Sequence, residues 1–485
     1  MGARRAAAPG RPVRVTGQPR RHRPRTDPAR RAAHDALRMV DERDAYANLV
    51  LPALLAQRRL TGRDAAFATE LVHGTLRARG RLDAVVARCV DRPLADVDPP
   101  VLDLLRLGAY QLLETRVPAH AAVSASVDLA RAVLGAGPAR FVNAVLRRVA
   151  ERDLAGWLAV AAPPYDADPV GHLEVVTSHP RWVVSALRDA LGGDLDETRR
   201  ALDADNERPQ VHLAARPGRI DRDALLGQAG PGARPGPFSP FAVHLSAGGD
   251  PAAIQAVRDG RAGAQDEGSQ LAALALAHAP LAGPDRTWVD LCAGPGGKAA
   301  LLAGLLAGRA REQARLLAVE PAAHRARLVA RALAGGPAGT LVIQADGTGP
   351  LVRPGSADRV LVDAPCSGLG ALRRRPEARW RRVPADLPPL GRLQRELLRR
   401  AVELLRPGGV VAYVTCSPHV AETRAVVDDV VGEVAGLEPI DAAAVLAGLG
   451  VDGAALDAPP GTVQLWPHRH GTDAMFVALL RAGSP

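Results

Sequence analysis

An alternation of short apolar runs with longer helical stretches over residues 260–485 most constrains the fold of this chain. Such alternation is typical of β and α units that build a doubly wound α/β sheet. Ligands bind to these sheets at the carboxyl ends of the strands, so the residues that end each run are candidates for a functional site. The runs rich in β-branched residues are 287–293, 316–320, 340–346, 359–365, 410–417, 463–466 and 475–480.

The preceding part of the chain has two other patterns. Residues 27–150 are dominated by Ala, Leu and Arg at helical spacing, which predicts an all-α domain of about five to seven helices, one of them starting near Thr61. Residues 151–259 are predicted to form a linker and a small α+β connecting domain. The linker is expected at 151–180, which holds four prolines, before a further helix at 181–205.

The positive charge is concentrated at the N-terminus. Of 62 basic residues 61 are arginine and one is lysine, and with 52 acidic residues the net charge is +10. Residues 1–26 contain eight arginines and no acid, so residues 27–485 carry only +2 (10 − 8). This segment is predicted to be a disordered basic tail, for which RNA contact and a solvated tail without a partner remain equal alternatives.

Composition excludes several classes of protein. Four cysteines in 485 residues do not form a disulfide framework, and their spacing matches no zinc motif, so no metal is expected. Aromatic residues make up 3%, too few for a wide stacking platform for single-stranded nucleic acid. No apolar run reaches the roughly 18 residues of a membrane span, and no signal peptide is evident. A cytoplasmic location without a membrane partner is therefore expected.

The first run ends in the sequence DLCAGPGGK, residues 290–298. Its glycines, Gly294, Gly296 and Gly297, permit a tight strand-to-helix turn and a close approach of a ligand to the backbone. The loop matches neither the dinucleotide pattern nor the P-loop. It also contains the single lysine, Lys298, whose compact ammonium an arginine does not replace, although chance retention is the alternative.

Carboxylates end the next three runs, at Glu320, Asp346 and Asp363. A carboxylate that follows a glycine loop in an α/β nucleotide-binding fold contacts ribose hydroxyls. One such residue is commonly a helix cap, but three in succession indicate a ligand with a ribose and a base that needs no phosphate. S-adenosylmethionine fits that description.

Two cysteines lie at the ends of neighbouring runs, Cys366 in APCSG and Cys416 in TCSP. A single buried cysteine is usually an inert part of the core. Two at strand ends indicate chemistry, because a thiol near helix N-termini can lose its proton more easily and act as a nucleophile.

These motifs together resemble a known family. DLCAGPGGK, VDAPCSGLGALRRRPEARW, VTCSP and HGTDAMFVALL resemble the S-adenosylmethionine-dependent RNA cytosine carbon-5 methyltransferases of the Sun/NOP family. RFVNAVLRRV and LRLGAYQLLE are similar to the NusB-like helical domain of its ribosomal RNA small-subunit methyltransferase B (Sun/Fmu) subfamily, and SHPRWVV and DNERPQVHLAAR to that subfamily's connecting segment. The resemblance implies an all-α NusB-like RNA-binding domain at 27–150, followed by an α/β Rossmann-like methyltransferase domain at 260–485.

The resemblance also implies roles for the site residues. Cys416 would attack the cytosine, Cys366 would assist release of the enzyme, and Asp363 would hydrogen-bond the cytosine ring and lie near the cofactor. Glu320 would bind the ribose hydroxyls of S-adenosylmethionine and Asp346 its adenine side. The methionine part would be lined by Cys292, Ala293, Gly294, Pro295, Gly296, Gly297 and Lys298.

The implied partner is RNA, specifically 16S rRNA before full assembly of the subunit, and the chain is expected to act as a monomer. A second basic cluster follows Cys366 and is predicted to contact RNA phosphates, with a solvated run as the alternative. Its members are Arg373, Arg374, Arg375, Arg379, Arg381 and Arg382. The target base must be unstacked to reach a thiolate, so a loop or opened RNA is the expected substrate.

Two other functions remain open from the sequence. A DNA cytosine-5 methyltransferase would use the cysteine of the Pro-Cys motif, here Cys366, as its nucleophile, but its Glu-Asn-Val segment is absent. In a non-catalytic RNA-binding factor, the helical domain would bind RNA and the methyltransferase half would be vestigial.

Overall fold

A computed structural model describes residues 26–246, 250–309, 314–336, 339–452, 456 and 461–483. The basic tail predicted at 1–26 therefore lies outside the described residues, apart from Thr26. Across these ranges, no helix is both long and apolar enough to cross a membrane.

Residues 27–150 fold into six α-helices around one apolar core, as the periodicity predicts. The first helix begins at Pro28 because Asp27 caps it by accepting a hydrogen bond from the Arg30 N–H. Thr61 precedes the third helix, at the predicted start. The helices are α1 (Pro28–Arg43), α2 (Ala47–Gln57), α3 (Gly62–Cys89), α4 (Pro99–Glu114), α5 (Ala119–Leu134) and α6 (Ala136–Val149).

The segment predicted as a linker is helical instead. Its prolines stand at helix starts, where a missing N–H costs no hydrogen bond: Pro169 is the first residue of a helix capped by Asp168, and Pro180 precedes the next helix. The helices are α7 (Leu154–Ala161), α8 (Pro169–Thr177), α9 (Arg181–Ala190) and α10 (Leu195–Asn206).

A small antiparallel sheet follows, with strand order β2-β3-β1-β4. Strand β4 pairs with β1 and lies beyond residue 259, inside the segment that the sequence assigned to the α/β domain. The domain boundaries themselves remain a prediction. The elements are β1 (His212–Ala215), α11 (Arg222–Gln228), β2 (Arg234–Pro235), β3 (Ala242–His244), α12 (Gln255–Arg258) and β4 (Ala262–Ala264).

The C-terminal part contains an eight-stranded mixed sheet, with order β10-β12-β9-β8-β5-β6-β7 and β11 paired with β12. Strands β5 to β9 pair in parallel, whereas β10, β11 and β12 pair antiparallel. The α/β fold class is confirmed. The strands are β5 (Thr287–Asp290), β6 (Arg315–Val319), β7 (Thr340–Ile343), β8 (Ala357–Asp363), β9 (Leu405–Thr415), β10 (Leu437–Ile440), β11 (Thr462–Gln464) and β12 (Phe476–Ala482).

Helices cover both faces of this sheet, and two apolar clusters fill the space between them and the strands. The helices are α13 (Glu267–His278), α14 (Gly297–Arg309), α15 (Ala323–Leu333), α17 (Leu387–Leu404), α18 (Arg424–Glu433) and α19 (Ala442–Ala447). Two further short helices lie away from the sheet, α16 (Ala378–Arg381) and α20 (Pro467–His470).

The parallel register brings the strand ends to one edge of the sheet. Asp290 pairs with Leu361 near the end of β8, and Asp363 at that end pairs with Val414 of β9. Two details differ from the prediction. Strand β10 was not predicted, since its four residues have two exposed positions, and β7 ends at Ile343, three residues before Asp346.

Candidate active site

The two cysteines meet at the carboxyl edge of the sheet. Cys416 directly follows β9 and Cys366 lies in the turn after the neighbouring strand β8. Their sulfur atoms are 3.4 Å apart, within hydrogen-bonding distance for thiols, and both side chains are half-buried. The sequence prediction that two cysteines gather at adjacent strand ends is therefore correct in geometry.

The two thiols differ in their tendency to ionise. The hydrogen bond with Cys366 lowers the pKa of Cys416, and the Lys298 ammonium also lowers it against the effect of burial. The same hydrogen bond, together with burial, raises the pKa of Cys366 well above its ordinary value. The pair thus favours a thiolate at Cys416 and a protonated thiol at Cys366.

Lys298 links the glycine loop to strand β8. Its Nζ donates to Oδ2 of Asp363 over 2.8 Å, and its side chain is 11% exposed against 27% for the carboxylate. Burial alone would lower the pKa of Lys298, but the Asp363 carboxylate raises it. The lysine is therefore a charged neighbour of both Asp363 and Cys416.

The loop between β5 and α14 needs glycine at two positions. Gly296 has φ +105, and a Cβ there would lie 2.7 Å from Cβ of Ala332. A Cβ on Gly294 would lie 2.3 Å from Oε2 of Glu320. The loop therefore lies close to the end of β6. Of the other residues predicted to line the cofactor, Cys292, Ala293 and Pro295 lie in this loop, and Gly297 is the first residue of α14.

Asp290 is the last residue of β5, and the sequence predicted no role for it beyond the start of the DLCAGPGGK motif. Its side chain is buried, with Oδ1 accepting from the Cys292 N–H over 3.2 Å. Oδ2 is buried and has no hydrogen-bond partner among the described residues. Burial raises the pKa of Asp290 to about 7, and the nearby Asp363 carboxylate adds to the effect. A buried acid with a free oxygen beside a glycine loop is a candidate ligand-binding group.

The two remaining predicted carboxylates differ in position. Glu320 follows β6, is buried, and its Oε1 accepts from the Ala322 N–H and from Arg325, each over 2.8 Å. Asp346 is exposed, and its Oδ1 accepts from the N–H and hydroxyl of Thr348 at 3.0 and 2.9 Å. Glu320 thus borders the glycine loop, whereas Asp346 caps its own turn.

These residues fit S-adenosylmethionine. The free, buried Oδ2 of Asp290 beside the glycine loop can accept from a cationic amino group. The Glu320 carboxylate suits a ribose diol. Within the described ranges no group of three or more His, Cys, Asp and Glu side chains is arranged to hold a metal ion.

A residue that the sequence reasoning missed lies beneath the cysteines. Glu422, in a 3-10 turn spanning Val420–Glu422, is fully buried and hydrogen-bonds to Ser367 and Ser417. These serines follow Cys366 and Cys416. Its only signal in the sequence is an acidic residue shortly after TCSP, which spacing alone does not connect to the APCSG segment.

The predicted phosphate role of the arginine cluster is wrong for Arg379 and Arg381, because both connect parts of the protein. Arg379 is fully buried, and Arg381 is largely covered. Arg379 donates to the backbone oxygens of Arg77, Ser178 and Asp205 and to Oδ1 of Asn206. Arg381 donates to the backbone oxygens of Val40, Asp44 and Ala45 at the end of α1.

Arg373 and Arg374 are also used inside the fold, so the phosphate prediction is wrong for them too. Arg373 is buried and donates to the Gly471 oxygen, and Arg374 pairs with Asp266 and Asp473. For Arg375, which is exposed over the ring of Tyr46, and for Arg382, RNA contact stays a prediction. Sequence adjacency to Cys366 could not distinguish these cases, because the acceptors come from distant segments.

Comparison with known proteins gives two family matches. Residues 279–481 match the model described as 16S rRNA methyltransferase RsmB/F, and residues 27–151 match the NusB family. The chain is 55% identical over 468 residues to a Mycobacterium tuberculosis protein described only as a methyltransferase, covering 95% of this chain and 98% of the relative. It is 33% identical over 423 residues to ribosomal RNA small subunit methyltransferase B of Pseudomonas putida, covering 85% and 91%.

Solved structures agree on the fold. The crystal structure of PH0851 superposes with a TM-score of 0.76 at 22% identity, covering 93% of this chain and 98% of the other. NSun6 from Pyrococcus horikoshii, solved with SFG, gives a TM-score of 0.52 at 18% identity and covers 63% and 99%.

Proposed function

The chain belongs to the 16S rRNA methyltransferase RsmB/F family, and from this premise we propose that it methylates carbon 5 of a cytosine in 16S rRNA through a covalent bond to Cys416. As a member it is an S-adenosylmethionine-dependent rRNA methyltransferase. The position on the base, the covalent bond and the choice of 16S rRNA before full subunit assembly are the proposal.

The chemistry requires a nucleophile on the protein. Carbon 5 of cytosine is too weak a nucleophile to take a methyl group unaided. Addition of a thiolate to carbon 6 forms an S–C bond and moves the ring electrons toward an enamine, in which carbon 5 is nucleophilic. After methylation, loss of the carbon-5 proton and expulsion of the thiolate restore the ring.

The observation that carries the proposal is the pair of sulfur atoms 3.4 Å apart at the carboxyl edge of the sheet, with the Lys298 ammonium favouring the thiolate form of Cys416. Cys416 has the lowered pKa and supplies the thiolate. Cys366, kept protonated, stabilises that thiolate before attack and assists its departure from the methylated base.

Asp363 is proposed to hydrogen-bond the cytosine ring and to stabilise the charge that grows on its ring nitrogen. Its partner Lys298 holds it at the mouth of the site over 2.8 Å. The same ammonium favours the thiolate form of Cys416. One ion pair therefore orients the base-binding group and helps to activate the nucleophile.

S-adenosylmethionine supplies the methyl group when bound. The residues proposed to hold it are 292–298, which include the first turn of α14, with Glu320 for the ribose and, on family resemblance, Asp346 for the adenine side. Asp290 joins this set because of its free buried oxygen. A cytoplasmic monomer is part of the same proposal.

Family membership weighs against the alternatives of a DNA methyltransferase and a non-catalytic factor, and two substitutions test the cysteine roles. Cys416→Ala should abolish methylation of RNA, whereas Cys366→Ala should accumulate a covalent enzyme–RNA adduct, seen as a slower band on a denaturing gel. Cys89→Ala, in the helical core, is the matched control and should leave methylation intact. An active Cys416→Ala enzyme together with no adduct from Cys366→Ala would refute the assignment.

The substrate is tested by mapping methylated cytosines in rRNA from a strain that lacks the gene. The expected result is loss of methylation at a 16S rRNA cytosine and its return when the gene is restored. Identical maps with and without the gene would remove the support for 16S rRNA.

A further inference from the structure

Glu422 contacts both cysteine-bearing turns at once. Its carboxylate has no solvent exposure and accepts four hydrogen bonds from three residues. Oε1 accepts from the Ser367 N–H over 2.7 Å and from Nε2 of Gln394 over 3.2 Å. Oε2 accepts from the hydroxyls of Ser367 and Ser417 over 2.5 and 2.7 Å.

The two serines are the residues next to the two cysteines. Ser367 follows Cys366, Ser417 follows Cys416, and the serine hydroxyl oxygens are 3.1 Å apart. A single carboxylate therefore joins the backbone segments that carry the two sulfur atoms. A shift of either serine would change the 3.4 Å distance between the thiols.

Other contacts fix the position of Glu422. Its backbone oxygen accepts from the hydroxyl of Tyr413, a fully buried residue of β9, over 2.8 Å. Gln394 of α17 donates both to Glu422 and to the backbone oxygen of Pro365, the residue before Cys366, over 3.2 and 2.8 Å. The carboxylate is thus anchored to a strand and to a helix as well as to the two turns.

A buried carboxylate is a costly way to join two turns. No basic side chain among the described ion pairs contacts Glu422, so its buried oxygens rely on the four hydrogen-bond donors alone. Apolar packing would hold the turns together at less cost, but without the directional bonds that define their separation. This favours a role in geometry over one in stability alone.

We propose that Glu422 is a positioning residue that sets the separation and orientation of Cys366 and Cys416 by binding the serine next to each. Only the expected effect of Glu422 on turnover rests on the proposed function. The arrangement of the two thiols can be measured without RNA. Glu422 itself does not contact the thiols through a hydrogen bond.

The test compares two substitutions at one position. Glu422→Met keeps a similar size and removes all acceptors. Glu422→Gln keeps an oxygen for the Ser367 N–H and Gln394, and its amide can donate to the serine hydroxyls. Glu433→Met, at an exposed residue that ends α18 and pairs with Arg399, is the matched control. The double variant Ser367→Ala/Ser417→Ala removes the hydroxyls if Glu422→Met does not fold.

Four quantities are measured on the full chain. Dibromobimane becomes fluorescent when it joins two neighbouring thiols, and the yield of cross-linked peptides that contain Cys366 and Cys416 is measured. The Cys366→Ala variant gives the background signal. Methylation kinetics give kcat and KM for RNA. Calorimetry gives the affinity for S-adenosylmethionine, and thermal unfolding gives Tm.

In Glu422→Met we expect a several-fold loss of cross-link and a kcat lower by a factor of about 10 to 100, because small misplacements of reacting groups cost rate. Cofactor affinity and KM should stay close to those of Glu433→Met, and Glu422→Gln should recover most of the cross-link and kcat. Tm should fall in Glu422→Met, because buried donors lose their acceptor. The double variant should resemble Glu422→Met.

Two outcomes would overturn the proposal. One is a cross-link yield in Glu422→Met, or in the double variant, equal to that of Glu433→Met. The other is a parallel loss of cofactor affinity and cross-link, which would make the role of Glu422 structural only. If wild-type enzyme fails to methylate cytosine at carbon 5, the proposed function fails, but the cross-link comparison still decides the role of Glu422.

Discussion

Lys298, the single lysine of the chain, donates from Nζ to Oδ2 of Asp363 across 2.8 Å. The bond crosses from the start of α14 to the end of β8 and lies between the glycine loop and the cysteine pair. A compact ammonium fits this covered position, where the lysine side chain is 11% exposed. The relationship gives a physical reason for one lysine in a chain that otherwise uses arginine.

We predict that Lys298→Arg weakens binding of S-adenosylmethionine by about tenfold while the fold stays intact, because a planar guanidinium needs more room than the ammonium. Calorimetric titration measures the affinity, and circular dichroism checks the fold. Arg327→Lys, on the exposed face of α15, is a control exchange that should change neither. Equal affinities for wild type and Lys298→Arg would favour the alternative that Lys298 was retained by chance.

Much of this site was predictable because strand ends are local features. The βα alternation predicts where strands stop, and a parallel sheet must bring those stops to one edge, so Cys366 and Cys416 were expected to lie together. The 3.4 Å distance and the different ionisation of the two thiols were not predictable, since they depend on how neighbouring turns pack.

The failures at the arginine cluster and at Glu422 share one physical cause. Glu422 and the arginines 373, 374, 379 and 381 find their partners in segments distant in sequence, and no local pattern marks such contacts. The prolines at 169 and 180 were ambiguous for a different reason. Proline ends a helix when it lies inside one but fits at its first turn, and composition does not separate the two cases.

Asp205 should make stability depend on pH. It is buried and burial raises its pKa to about 7 from 3.8 in the unfolded chain, although Arg379 opposes the shift. As pH rises from about 4 to about 7 the unfolded chain releases this proton while the folded chain retains it. The free energy of unfolding should therefore fall over this range, by about 4 kcal/mol from this residue.

Denaturant unfolding of wild type and Asp205→Asn from pH 4 to pH 8 measures this effect. The difference between the two curves isolates Asp205 from other buried acids such as Asp473, whose pKa is raised to about 6 by burial. Asp203→Asn, at an exposed residue of the same helix, should leave the pH dependence unchanged. A wild-type slope that persists in Asp205→Asn would contradict the prediction.

Arg379 should stabilise the protein and not bind RNA. Its buried guanidinium donates to acceptors on α3, on α10 and after α8. Arg379→Met leaves those acceptors without partners, so we expect a loss of about 3 kcal/mol in the free energy of unfolding.

The matched comparison is Arg382→Met, whose side chain is 40% exposed and which should leave stability nearly unchanged. RNA affinity at several salt concentrations separates the two roles, because removal of a phosphate contact reduces the salt dependence of binding. If the Arg379→Met protein were as stable as wild type and its RNA binding depended less on salt, Arg379 would be a phosphate contact after all.

Gly370 should be essential to the arrangement around Cys416. Its N–H donates to the Cys416 backbone oxygen over 2.9 Å, and its own oxygen accepts from the Ala474 N–H over 2.8 Å. A Cβ at this position would lie 2.1 Å from the Ala474 oxygen and 2.9 Å from the Cys416 oxygen. Both neighbours are backbone atoms, so Gly370→Ala requires a backbone shift where the segments of Gly370, Ala474 and Cys416 meet.

We expect Gly370→Ala to lose about 1 to 3 kcal/mol of stability and, because the nucleophile moves, at least about tenfold in kcat. Gly432→Ala is the control, since Gly432 lies in α18, where an added Cβ would meet no atom within 4 Å outside its own helix backbone. That substitution should raise stability by about 0.5 to 1 kcal/mol through the higher helix propensity of alanine. Denaturant unfolding and methylation kinetics on both variants test the pair. If Gly370→Ala matched Gly432→Ala in both measurements, the close packing of Gly370 on Cys416 would have no role in catalysis.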